Sequence, residues 1–332
     1  MVVLGIETSC DDTSVGLVND GTQVLSVLLA SQIHVHNKFG GVVPEIASRK
    51  HLESIVPVVE EALSRARVGL GDVDLVSVTA GPGLLGALLV GVCFAKALSF
   101  ALCKPLVGVH HLEAHIYANF LGASVPQFPL LALVVSGGHT DLILVRGHGV
   151  YQVVGVTLDD AAGEAFDKVA RAMGLGYPGG PEIERLAARG DSSKVRFPKT
   201  RLEEGSFDFS FSGLKTAVLR ALQEANYSKE DIAASFQRTV VASLVGTTVS
   251  AARALGVGRI ALAGGVAANS LLRAELADAC SRNGLQLYVP PKQFCTDNGA
   301  MVASAGFWVH RQGRQASLEL NAVADLPLES QP

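Results

Sequence analysis

The sequence predicts an internally duplicated α/β protein, and three observations carry that prediction. Two successive stretches follow the same order: a meander of short apolar strands, helix, buried strand, glycine turn and helix. Glycine-rich turns stand directly behind apolar strands, at 80–83, 136–140 and 264–269. The 332 residues are 48% hydrophobic and 17% charged, the composition of a compact folded chain with room for two domains.

Taken in order, the β-branched and apolar runs 2–8 and 13–18 flank the polar turn Ser9-Cys10-Asp11-Asp12, which predicts a hairpin, and 23–31 adds a third strand. Residues 34–43 read as a glycine-containing loop. A helix is expected over 44–67, where Ile46, Leu52, Ile55, Val56, Val59 and Leu63 recur near helical spacing. A buried strand at 75–79 leads through Ala80-Gly81-Pro82-Gly83 into an apolar helix, and 105–109 is another strand. The second stretch repeats the order with strands 131–135, 141–146 and 150–157. Helices follow at 160–173, 181–189, 214–225 and 231–255, then a strand at 259–263 with Gly264-Gly265 opening the next helix. A short strand at 287–289 and a helix over 297–310 close the pattern. Domains are expected at 1–121 and 122–332, with 122–128 as the linker, a helical insertion over about 160–256, and the last helix crossing back towards the first domain.

A net charge of −4 argues against a basic surface over the whole molecule, so nucleic acid would be met through a local patch or with a partner. Cys10, Cys93, Cys103, Cys280 and Cys295 form no Cys-x-x-Cys, and a scattered odd set suits a reducing cytoplasm. No leader-like segment precedes the first strand. The most apolar window, 84–103, contains Lys96, Gly86 and Gly91 and follows a glycine turn; a buried helix is expected there, not a membrane span.

Chemistry concentrates in Val109-His110-His111-Leu112-Glu113-Ala114-His115. Side chains four apart share a helix face, so His111 and His115 can aim two imidazoles at one point, half of a metal site. Taken alone the pair reads equally well as two surface histidines. Zinc peptidases place a general-base Glu next to the first ligand, whereas Glu113 lies two residues after His111 and points elsewhere. Asp297 reads either as a helix cap, shared with Thr296, or as a third ligand completing a two-His, one-carboxylate set. The turns Ser136-Gly137-Gly138 and Gly264-Gly265 suit backbone amides approaching phosphate, although glycine turns are more often structural. Neither a Walker lysine nor a Gly-x-Gly-x-x-Gly is present. Asp167 and Glu184 read as ribose acceptors or as solvated helix faces, and Asp11 and Asp12 alone read as turn residues.

Together these residues resemble one family, the tRNA threonylcarbamoyladenosine transferases, once described as glycoprotein endopeptidases. The resemblance rests on motifs at 6–13, 40–49, 110–115, 136–140, 210–216 and 264–269, six in order over essentially the whole chain. It implies the actin-like, sugar-kinase-like ATPase fold with two ribonuclease-H-like domains. It implies that His111, His115 and Asp297 hold a divalent metal, iron(II) favoured and zinc possible. Val134, Val135, Ser136, Gly137, Gly138, Asp167, Gly180 and Asn269 match nucleotide-contacting positions, and Glu184 stands where the family often has Asp. The implied reaction moves a threonylcarbamoyl group from its adenylate to the exocyclic amine of the adenosine 3′ of the anticodon, in tRNAs reading codons that begin with A. Asp11 is the candidate acceptor of the amine proton. The implied partners are tRNA, an inactive paralogue of the same fold and a small P-loop ATPase; no membrane is involved and the location is cytoplasmic. Lys194, Arg196, Lys199 and Arg201 around Phe197 form a basic cluster suited to tRNA, or a solvated loop. A small-molecule kinase of the same fold, a metallopeptidase and a non-catalytic scaffold remain as alternatives; the scaffold would be expected to lack the His pair and Asp297.

Overall fold

A computed structural model describes residues 1–122, 124–198, 205–224 and 226–328. The chain forms two compact units, one of Met1–Pro126, His148–Val150 and Pro290–Pro332, the other of Gln127–Gly147 and Tyr151–Val289.

In the first unit β1 (Val2–Glu7) and β2 (Asp12–Asn19) form the expected antiparallel hairpin, and β3 (Gln23–Ser31) pairs antiparallel with β2. The loop expected at 34–43 contains a short helix, α1 (Ile33–His36). Next comes α2 (Pro44–Ala66), with proline at its first turn and Arg67 closing it in the left-handed region at φ 55°. Its buried stripe runs through Ala47, His51, Ile55, Val59 and Ala62, while Leu52 and Val56 face outward. Spacing alone put Leu52 and Val56 with the core; His51 takes that inward face because its ring is satisfied there, as shown below. The parallel strands β4 (Leu75–Gly81) and β5 (Leu106–His110) complete the order β3-β2-β1-β4-β5. Between them α3 (Leu85–Leu102) packs on β4 and α2. This helix is long and apolar enough to cross a membrane, and 33% of its window is buried. The expected buried helix is therefore buried along one face, through Leu88, Gly91, Val92 and Ala95, while Leu85, Leu89 and Phe100 are exposed. The helix α4 (His111–Tyr117) follows β5 without a linking residue.

The second unit repeats the order. Strands β6 (Leu130–Val135), β7 (Thr140–Gly147) and β8 (Val150–Gly155) are followed by α5 (Ala162–Ala172), α6 (Gly179–Ala187), α7 (Ser212–Glu224) and α8 (Lys229–Ala254). Then β9 (Arg259–Ala263), α9 (Ser270–Arg282) and β10 (Gln286–Tyr288) give the sheet order β10-β9-β6-β7-β8, the first sheet's order read backwards. Strands β6 and β7 are antiparallel, and β9 is parallel to β6 and β10. This duplicated arrangement is the one the sequence predicts.

The last helix, α10 (Gly299–Arg311), packs in the first unit on β1, β2, β4 and β5. It lies so close that a Cβ on Gly5 or Gly16 would strike its backbone, and one on Gly299 would strike the strands. Strands β1, β2 and β4 are buried almost throughout, as helices over a sheet require.

Candidate metal centre and phosphate turns

Three histidines stand together at the junction of β5 and α4, and the structure gives the first a different task from the other two. His110 caps α4: its Nδ1 accepts from the Leu112 N–H at 3.1 Å, and its Nε2 lies 3.0 Å from the Leu326 carbonyl, to which it donates. His111 and His115, one turn apart, set their rings edge to face with centroids 4.6 Å apart. All seven residues of α4 are buried.

Asp297 reaches the same point from just before α10. Neither Thr296 nor Asp297 caps that helix; Asn298 does, its Oδ1 accepting from Met301 N at 2.9 Å while its Nδ2 donates to the carbonyls of Phe294 and Thr296. The capping residue is thus one place later than expected, and the Asp297 carboxylate turns to the histidines. Its Oδ1 lies 3.1 Å from His115 Nε2 and 3.6 Å from His111 Nε2. One ligand atom from each of the three residues falls within 4.8 Å of the others. Ligand atoms about 2.1 Å from a tetrahedral metal sit about 3.4 Å from each other, and the 3.1 and 3.6 Å separations to Asp297 lie either side of that spacing.

Whether the donor set suits a metal is decided by His115. Its ring is fully buried, and neither nitrogen has a hydrogen-bond partner among the described residues. Leaving such groups unsatisfied costs about 1–3 kcal/mol each, and a metal ion at Nε2 removes one of them. The residues fit the group.

The hairpin turn brings more carboxylates. Glu7, wholly buried, places Oε2 3.1 Å from His111 Nδ1. Burial raises the Glu7 carboxyl, but the charge and N–H of His111 outweigh it and hold the group below the ordinary glutamate range. Burial pulls His111 down, and the carboxylates of Asp297 and Glu7 more than reverse this, to about 9. Asp11 is raised above the usual aspartate value, chiefly by burial and then by Asp297. Asp12 reaches about 7 through burial and the neighbouring charges of Asp11, Asp297 and Glu7. His51 clamps this turn: its Nε2 donates to the Cys10 carbonyl at 3.0 Å and its Nδ1 accepts from Thr13 Oγ1 at 2.7 Å. Sequence reasoning missed Glu7 and His51; the available signals were an acid ending an apolar strand and a histidine on the inner stripe of α2.

In the second unit β6 ends with Val134 and Val135, and Ser136, Gly137 and Gly138 turn into β7. A Cβ on Gly137, Gly138 or Gly180 would meet nothing within 4 Å, so backbone lies open there. Gly264 holds φ 89°, and a side chain on it would strike the Val135 carbonyl; glycine is required. Asp167 and Glu184 each cap a helix with one oxygen: Asp167 Oδ1 accepts from Gly179 N at 2.6 Å, and Glu184 Oε1 from Ser270 N at 2.9 Å. Asn269 caps α9 through Leu272 N and donates to Gln237 Oε1 at 3.0 Å. Asp167 and Gly180 thus stand at the start of α6, and Asn269 and the Glu184 carboxylate at the start of α9. Of the basic cluster, Lys194 and Arg196 are exposed, and Lys199 and Arg201 lie outside the described residues.

Comparison with known proteins supplies the family. The model of the tRNA N6-adenosine threonylcarbamoyltransferase family matches residues 23–304. A protein of that name from Symbiobacterium thermophilum is 56% identical over 98% of this chain and 97% of its own. One from Geobacillus kaustophilus is 57% identical over 98% and 96%. Among solved structures, full-length HypF in its phosphate- and nucleotide-bound form superposes with a TM-score of 0.63 at 15% identity, covering 93% of this chain and 55% of that one. At that identity the likeness bears on fold alone, and the fold is the expected actin-like, sugar-kinase-like one. More than half the residues being shared with such relatives over almost its full length, the chain belongs to the tRNA N6-adenosine threonylcarbamoyltransferase family.

Proposed function

We propose that this chain transfers threonylcarbamoyl from threonylcarbamoyl-AMP to the exocyclic amine of the adenosine 3′ of the anticodon, in tRNAs reading codons that begin with A. His111, His115 and Asp297 would hold the divalent metal that the family implies. The observation that carries the metal assignment is the buried His115 ring, which has no hydrogen-bond partner among the described residues and sets Nε2 3.1 Å from the Asp297 carboxylate. Two imidazoles and one carboxylate with positions left open favour iron(II), with zinc as the alternative. Bound there, the ion would supply Lewis-acid polarisation of the carbamoyl carbonyl and the phosphate.

The chain's own groups do the rest. Backbone N–H groups of Gly137 and Gly138 hold the phosphate, with Val134, Val135, Ser136 and Gly180 beside it and Asn269 fixing the start of α9. Asp167 and Glu184 accept ribose hydroxyls, Glu184 with a carboxylate one methylene longer than the Asp that the family often has there. As the amine nitrogen bonds to the carbamoyl carbon, the carbon–oxygen bond to phosphate breaks and AMP leaves. The proton released from nitrogen passes to Asp11, whose raised pKa brings it nearer to working pH. Lys194 and Arg196 contribute to the tRNA surface. A net charge of −4 supports sharing that surface with an inactive paralogue of the same fold and a small P-loop ATPase, in the cytoplasm.

Metal analysis of anaerobically purified protein, run beside a tRNA assay with the adenylate, tests this. Asp11→Ala is expected to keep its metal and lose about 10²–10⁴-fold in transfer rate. Full activity in that variant would remove Asp11 from the mechanism.

A further inference from the structure

Glu7 ends β1 with its side chain fully shielded from solvent. A buried carboxylate is tolerated only where its oxygens are used, and here they are. Oε1 accepts from Ser9 N at 2.6 Å, and Oε2 accepts from Thr79 Oγ1 at 2.7 Å and faces His111 Nδ1 at 3.1 Å. Ser9 Oγ stands 3.2 Å from the same ring nitrogen. An ionised carboxylate can only accept, so the hydrogen between Glu7 and His111 belongs to Nδ1. In a neutral ring that leaves the lone pair on Nε2, the nitrogen that faces Asp297. The partner ligand is held differently: His115 Nδ1 has no hydrogen-bond partner among the described residues.

The geometry points to Glu7 as the positioning residue of the metal centre, whose carboxylate fixes His111 in the Nδ1–H tautomer and aims its Nε2 at the point shared with His115 and Asp297. The inference rests on the metal assignment above and deepens it. Removing such an outer partner costs about 10- to 100-fold in metal affinity. The competing role is purely structural, the Thr79 bond tying β1 to β4.

The test titrates metal-free wild type, Glu7→Gln, Glu7→Asp and Thr79→Val with Co(II), reading the ligand-field spectrum, and then with Zn(II) against a competing chelator. Glu7→Gln and Glu7→Asp are expected to bind about 10- to 100-fold more weakly, with an altered Co(II) spectrum. Thr79→Val is expected to melt earlier and keep wild-type affinity. Glu7 variants that fold and match wild type in affinity and spectrum would overturn the proposal. Should neither variant fold, ¹⁵N-histidine spectra of Zn(II)-loaded wild type decide: Nδ1–H on His111 supports it, and Nε2–H overturns it. A wild-type protein that takes up no metal would instead sink the metal assignment itself, and this proposal with it.

Discussion

A buried charge is stable here where a partner has been built for it, and Asp141, which has no ion-pair partner among the described residues, shows the contrast. It lies on β7 opposite Val134 and is 9% exposed, and burial alone raises its carboxyl to about 6. Between the ordinary aspartate value of 3.8 and 6, the folded chain holds a proton that the unfolded chain has released. Stability therefore falls as pH rises through that window and stays lowered above it. Asp141→Asn is expected to raise unfolding free energy by up to about 3 kcal/mol above about pH 7, and by nothing below about pH 4, as read by urea denaturation. A gain that is equal at both pH values would contradict this. The same scale shows what sequence could reveal. His111 and His115 were legible because helical spacing fixes their common face, and Asp297 was legible as one of two readings. Asn298 takes the cap and so removes the capping reading of Asp297, a choice among neighbouring polar residues that no pattern resolves. Glu7 was illegible because an acid at the end of a strand normally faces solvent.

Among the elements, α10 matters most, since Asp297 and Asn298 stand at its start and its whole inner face lies on the first sheet. Close approach is possible because Gly5, Gly16 and Gly299 present no side chain where backbones meet. Gly16→Ala places a Cβ against Ala300 backbone, so helix or strand must shift. A loss of about 1–3 kcal/mol is expected, with weaker metal uptake as Asp297 moves with the helix. Gly147→Ala, whose Cβ would meet nothing within 4 Å, is the control and should keep wild-type metal uptake. Equal metal binding in the two variants would contradict the coupling. Helix periodicity found α2 but not its inner face: apolar spacing cannot tell that His51 turns inward to hold Cys10 and Thr13 while Leu52 turns out.

For the molecule as a whole, duplication was legible because strand, glycine turn and helix recur in the same order, and both sheets carry it. Which unit a late segment joins is a matter of long-range packing: Pro290–Pro332 clusters with the first 126 residues, not with the strands just before it. Electrostatics also acts at this scale. With net charge −4, tRNA binding must depend on local cations. Charge reversal by Lys194→Glu and Arg196→Glu together is expected to weaken binding and flatten its salt dependence, measured by filter binding over a salt series; unchanged affinity and slope would remove these residues from the interface. The central claim, that His111, His115 and Asp297 hold the ion on which transfer depends, is tested most directly by assaying threonylcarbamoyl transfer to tRNA with metal-loaded, chelated and reloaded protein. The account predicts activity lost on chelation, restored by iron(II) or zinc, and not restored in His115→Ala. Full transfer by the chelated wild-type protein would contradict it.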